Sequence, residues 1–224
     1  LWDDRFQAWD RALGFDWLAY VRLVDAHAWI AAPFRIAYAS LIPQIIVIVV
    51  ALGFTSRLLA LRSVIFAAML CGTITIVLSP FFPAVSNFVH LGLTTEDFRN
   101  VDPWAGYTHL ADYEDLRNGT LGAVDFKKMQ GIITFPSYHA GLATVTLWGF
   151  MQCPTKLLRW GGVTLALSTI AATPVDGGHY LVDVLAGMAI AIASIAVTRT
   201  IIPAAMRAQV RPWPSRRLRA APAQ

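Results

Sequence analysis

Two short polar motifs stand in otherwise apolar sequence. The first is Phe135-Pro136-Ser137-Tyr138-His139-Ala140-Gly141, and the second is Asp176-Gly177-Gly178-His179-Tyr180-Leu181-Val182-Asp183. Each opens a long hydrophobic segment. Ionisable groups are costly in a bilayer and are kept there mainly for function, so two histidines and a carboxylate in such places read as a small catalytic kit. His179 and Asp183 are spaced i, i+4, which places them on one face of a helix. A carboxylate one turn away accepts the proton of one ring nitrogen, leaves the other free and favours the cation once formed, as an attacking histidine requires. His139 is placed to give a proton to a departing oxygen. Gly177 and Gly178 let backbone amides approach an anion at a helix start, and Ser137 with the amides of Tyr138 and beyond forms a similar nest.

Combined, these parts describe phosphoryl transfer through a phosphohistidine. His179 attacks phosphorus, His139 protonates the leaving alcohol, and water or another alcohol then accepts the phosphoryl group. Such a reaction rests on positioning and on cationic donors. Arg117, Lys127 and Lys128 are the candidates nearest in sequence to the first motif. Three plainer readings stand beside this one: histidines satisfied by interfacial water, Asp183 as a helix-start charge, and zinc binding by the His-His-Asp set. Asp176 is expected to cap a helix. His27, His90 and His109 have no partner at a telling spacing.

The elements that must position these groups are legible from composition. The chain has 224 residues, 56% hydrophobic and 14% charged, with a mean hydropathy of +0.54. Soluble domains carry about a quarter charged residues, so this is read as an all-α, polytopic transmembrane bundle of one domain. Five apolar stretches, 35–54, 58–80, 137–153, 158–173 and 180–202, are set against a requirement of roughly 17–25 residues per crossing. Because the chain begins at Leu1 and not at Met, a sixth crossing is expected in the full protein. In residues 1–33, Trp2, Phe6, Trp9, Leu13, Trp17, Leu18, Val21 and Val24 recur every three to four residues among Asp and Arg, the pattern of amphipathic helices lying at a membrane surface. A catalytic domain is expected over 34–202, with a polar outer connection at 81–134, and a basic tail over 203–224. Cys71 and Cys153 read as small buried apolar residues.

Charge orients the bundle. If 81–134 lies outside, alternating crossings put Arg57, Arg62, Lys156, Arg159, Arg199, Arg207, Arg211, Arg216, Arg217 and Arg219 on the other side with no acidic residue among them. All 14 Asp and Glu and the other eight Lys and Arg fall outside or at the outer edge. The positive-inside rule then makes the C-terminus cytoplasmic in a bacterial-type inner membrane. The tail is read as an anchor near anionic lipid, not as a nucleic-acid patch. Threading the chain this way brings both histidine motifs to the outer membrane edge.

The motifs resemble those of the type 2 phosphatidic acid phosphatase (PAP2) superfamily, and within it the branch that includes the fungal inositol phosphorylceramide synthases. The central Pro-Ser-Gly-His motif is matched by Pro136-Ser137-Tyr138-His139, and the terminal His-x-x-x-Asp by His179 to Asp183. The similarity covers roughly 34–202. It implies a membrane lipid phosphatase with His179 as nucleophile, His139 as acid and Asp183 as orienting carboxylate. Transfer of a phospho-headgroup to a lipid alcohol is the alternative, and a non-catalytic lipid-phosphate binding or transport protein is the reading from another class. A phosphorylated lipid and the bilayer are the implied partners, with no nucleic acid, no metal and no organic cofactor. There are departures. Ala172 and Thr173 stand where many members carry Ser-Arg, and no Lys-x6-Arg-Pro precedes Pro136. Arg117 or the Lys127-Lys128 pair is expected to replace the missing cations. Tyr138 in place of Gly is expected to narrow the site and add a hydroxyl.

Overall fold

The computed structural model describes residues 1–108, 110–120 and 133–209, apart from the side chains of 111, 116 and 203–209. Among the described residues every regular element is a helix. In chain order these are α1 (Asp3–Ala12), α2 (Trp17–Asp25), α3 (Ala28–Ala39), α4 (Leu41–Phe54), α5 (Leu58–Leu78), α6 (Asn87–His90), α7 (Leu110–Asn118), α8 (Tyr138–Met151), α9 (Lys156–Asp176) and α10 (Leu181–Gln209), with three short 3₁₀ turns in the 79–106 region. The expected all-α bundle is thus what the chain forms. Lys127, Lys128, His109 and the tail beyond Gln209 lie outside the described residues.

α5 and the 181–202 part of α10 are each long and apolar enough to cross a membrane. The expected crossing at 35–54 is broken. α3 and α4 meet at 56°, and α3 runs through the boundary drawn after residue 33. The bend has a local cause. Pro43 has no N–H for the Ala39 carbonyl, and its ring crowds that carbonyl, so the helix restarts at Ser40.

α8 has only 14 residues, about 21 Å at ~1.5 Å per residue, less than the ~30 Å of a hydrocarbon core. It packs against α4, α5, α9 and α10, and most of its residues are buried. Its neighbours, not lipid, cover it. The main core joins Ile48, Leu52, Val64, Cys71, Val145 and Phe150. Large apolar side chains such as Ile46, Met69, Ile76, Leu167 and Ile192 face outward, as a surface solvated by acyl chains permits. Cys71 and Cys153 are buried and unpaired.

Two glycines set the α8–α10 crossing. A Cβ on Gly187 would lie 2.0 Å from the Ser137 carbonyl oxygen, and one on Gly141 would lie 2.9 Å from Cys71 Sγ and 3.0 Å from the Gly187 oxygen. Without side chains the backbones touch, as small residues allow in membrane bundles. The start of α8 is thereby pressed against the first turns of α10. The Ser137 amide also donates to the Asp183 carbonyl at 3.0 Å, so the two motifs are joined backbone to backbone.

Candidate active site

His139 and His179 come from different helix starts, and Tyr38 links them: its ring carries His139 and its hydroxyl meets Gly177 beside His179. The His139 ring stacks on Tyr38 of α3, centroids 3.8 Å apart and planes 9° from parallel. Its Nε2 donates to the Tyr38 carbonyl at 3.1 Å, leaving Nδ1 as the ring nitrogen outside that bond. A Cβ on Gly177 would lie 2.8 Å from both His179 Cδ2 and the Tyr38 hydroxyl. His179 and Tyr38 therefore close on the same backbone atom, which only glycine permits. The two imidazoles are near enough to interact electrostatically.

The expected His179–Asp183 pair is present. Nδ1 of His179 lies 3.4 Å from Asp183 Oδ2, a few tenths of an ångström beyond a well-formed N–H···O bond. Asp183 is fully buried and His179 is 7% exposed. Burial pulls the His179 pKa down to about 4, while the Thr134 backbone beside the ring favours the cation. An ionised Asp183 at this distance acts in the same sense as Thr134. Burial thus favours the neutral ring, with Nδ1 toward the carboxylate and without a hydrogen bond among the described residues.

The α10 helix start differs from the sequence expectation. Its amides are not open to an anion, because they are filled from α1. Asp10 accepts from Leu181 N at 2.8 Å and Val182 N at 2.9 Å, and Asp183 Oδ2 accepts from Tyr180 N at 3.0 Å. Asp3 accepts from the Tyr180 hydroxyl at 2.9 Å and from Val85 N at 3.0 Å. Both acids are 2% exposed, and burial raises both pKa values. The 1–33 segment was read as lying at the membrane surface, yet one face of α1 enters the core. Asp3, Phe6 and Asp10 form that face. Their i, i+3, i+7 spacing was the available signal, since two acids on an apolar stripe must be capping something buried.

The other expected site residues are placed as follows. Ser137 is buried, and its hydroxyl caps α8 by accepting from Ala140 N at 3.3 Å. Tyr138 turns away toward α5, with its hydroxyl 3.5 Å from the Ala68 carbonyl and its ring against Gly72. It does not narrow the space between the histidines. Gly178 takes φ +65°, and its carbonyl accepts from Asn87 N at 2.8 Å. Among the described residues Asp176 caps no helix. It ends α9, is buried, and has an Oδ2 without a hydrogen bond among the described residues. Arg35, one turn before Tyr38 on α3, is the cation that acts on Asp176. Arg117 lies on α7, four residues after Tyr113. Tyr113 lines a cavity of about 320 Å³ together with Phe82, Thr134 and Phe135, and i, i+4 residues share a helix face. His90, expected to be unpartnered, sits 3.6 Å from Asp4. Among the described residues no three His, Cys, Asp or Glu side chains converge as metal ligands.

An all-helical bundle of membrane type, with two histidines and a buried carboxylate gathered at one end, defines the class. A family model described as the PAP2 superfamily matches residues 4–197, so the chain belongs to that superfamily. The match takes in α1, well ahead of the 34–202 region expected to carry the resemblance. Phosphoric ester hydrolysis or phosphoryl transfer is the general chemistry of its members. No curated protein matches the chain. Nor does any solved structure.

Proposed function

We propose that the protein is a membrane lipid phosphatase working through a phosphohistidine at His179. The observation that carries this is the junction at Gly177, where a buried His179 backed by Asp183 meets Tyr38, the residue on whose ring the second histidine, His139, is stacked. Nε2 of His179 attacks phosphorus as the phosphorus–oxygen bond to the lipid breaks. His139, entering as the imidazolium with Nε2–H held by the Tyr38 carbonyl, gives its Nδ1 proton to the departing oxygen, releasing the lipid alcohol. Water then attacks the phosphorus while neutral His139 takes its proton; the phosphorus–nitrogen bond breaks, and phosphate leaves with neutral His179 restored. Asp183 orients the ring and stabilises the cationic state on the way. Tyr138 and Gly178 are kept as backbone contributors beside Ser137. Arg117, with Lys127 and Lys128, is proposed to meet the phosphate, which a charge near −2 requires. The 320 Å³ cavity between Phe82 and Phe135 has largely apolar walls and ends at Thr134, beside the His179 ring. An acyl chain suits it.

The active site is proposed to face the outside of the membrane, with the C-terminus cytoplasmic, on the strength of the charge asymmetry. A second reading is transfer to a lipid alcohol, as in the branch that includes the inositol phosphorylceramide synthases. The burial of His179 favours it, because a phosphohistidine shielded from water survives to meet another acceptor. One experiment tests both. Purified protein is given labelled lipid phosphates in the presence of a chelator, and the phosphoenzyme is trapped. An acid-labile, base-stable label that His179→Ala lacks is expected. Label retained in that variant, or turnover that needs an added divalent metal, overturns the mechanism. No phosphate release and no transfer product from any lipid phosphate would leave the non-catalytic binding or transport reading. Free phosphate or a new phospholipid as product separates hydrolase from transferase.

A further inference from the structure

At the end of the bundle opposite the histidines, where α5 begins, α8 ends and α10 runs past, lies an open cavity of about 700 Å³. Arg57 and Arg199 both line it. One guanidinium nitrogen of Arg57 donates to the Gln152 carbonyl at 2.7 Å, which fixes that side chain at the rim and leaves its other donors unused. Arg199 makes no hydrogen bond or ion pair among the described residues. Among the described residues no carboxylate answers either charge. The described Asp and Glu all lie in 3–25, 96–115, or at 176 and 183, the ends and connections on the histidine side. Two like charges around one cavity repel, and the arrangement is balanced only when an anion joins them.

The walls select the anion. Leu58 and Leu59 are exposed, and Trp148 completes an apolar side. Ser63 and Gln152 supply neutral polar groups. A free phosphate uses the arginines and wastes the apolar wall. A phospholipid uses both, with its phosphate against the planar guanidinium forks and its first acyl carbons along Leu58 and Leu59. We propose that this cavity binds the headgroup of an anionic phospholipid, at a site separate from the histidines and independent of the chemistry assigned to them.

The test uses the purified full chain in a neutral detergent. Intrinsic tryptophan thermal unfolding is followed with added phosphatidylglycerol, phosphatidylcholine or inorganic phosphate. Stabilisation by phosphatidylglycerol alone is expected, with its half-maximal concentration raised about tenfold or more in Arg199→Gln and further in Arg57→Gln/Arg199→Gln, the scale of a lost charge-assisted contact. Arg199→Gln removes no hydrogen bond of the described fold, so it reads binding even if the double variant unfolds. Arg62→Gln, on the same helix end but outside the cavity, is expected to behave as the parent. Equal stabilisation by both lipids, stabilisation by inorganic phosphate alone, or equal losses in Arg62→Gln and Arg199→Gln overturns the proposal.

Discussion

Replacing Asp10 with alanine should slow turnover about 10- to 100-fold while leaving KM within about threefold. The carboxylate receives the first free amides of α10, from Leu181 at 2.8 Å and Val182 at 2.9 Å. Charge-assisted bonds of this kind contribute about 1.5–3 kcal/mol each. Part of that is offset by the cost of burying the acid, which its raised pKa registers. Losses of helix caps cost about 0.5–2 kcal/mol, and two orphaned amides place this site at the upper end, near 2 kcal/mol of stability. The catalytic effect comes from displacement. Once freed, the first turn of α10 moves the Asp183 carboxylate away from His179 Nδ1, where the contact is already 3.4 Å. A shift of about 1 Å in a catalytic geometry costs about 10²-fold. Asp10→Asn keeps an acceptor oxygen and should recover much of the rate. Steady-state kinetics, the rate of phosphoenzyme formation and thermal unfolding of the same preparations separate positioning from plain destabilisation. An Asp10→Ala enzyme with parental kcat, or one whose loss is the same in Asp10→Asn, refutes the positioning role.

Gly187→Ala should prevent normal folding, since its methyl would meet the Ser137 carbonyl at 2.0 Å and neither backbone can yield; a monodisperse, active variant on gel filtration contradicts this. Tyr38→Ala, which removes the ring stacked at 3.8 Å on His139, should lower kcat for alkyl phosphates more than for aryl phosphates, whose phenolate departs without an acid; uniform loss on both points to folding instead. Arg117→Ala should raise KM or lower kcat about tenfold, and parental kinetics there and in Lys127→Ala remove the loop from the mechanism. For pH, His179 titrates near 6.5 when unfolded and is pulled to about 4 when folded. Its contribution to stability is therefore complete above pH 6.5 and is lost as pH falls toward 4, by at most about 3 kcal/mol, a ceiling that an ionised Asp183 reduces. Thermal unfolding from pH 7 to 4 should show that loss in the parent and a shallower one in His179→Gln.

His179 and Asp183 were legible because they are local partners, and His139 because it sits in a recognisable helix-start turn. An i, i+4 pair and a Pro-Ser-Tyr-His turn carry their geometry in their spacing. Tyr38, Asp3 and Asp10 were not, because each acts across a long stretch of chain: Asp10 reaches residues 171 and 172 positions away. Their types misled as well. Acids beside Trp and Arg suggest a wetted surface, and only the fold shows them meeting amides. Tyr138 was misplaced because sequence gives its neighbours but not its side of α8. Gly72 on α5, a hole for the ring, decided that side. The broken first crossing was in principle readable at Pro43, but the run of apolar residues on either side of Ser40 masked it.

The α1 carboxylates also give the site a timetable. Asp3 and Asp10 are made 171 to 177 residues before the amides and hydroxyl that receive them, at 180–182. At about 5–20 residues per second, roughly ten to thirty seconds of synthesis separate the two. During that interval the acids remain hydrated at the membrane surface, since burying them unpaired is too costly. They leave water only when α10 inserts and offers its free N–H groups. His179 takes its place beside Asp183 in that same step. A nascent chain therefore holds no assembled His179–Asp183 pair, and a chain cut short before residue 180 leaves two solvent-seeking acids that keep α1 from docking.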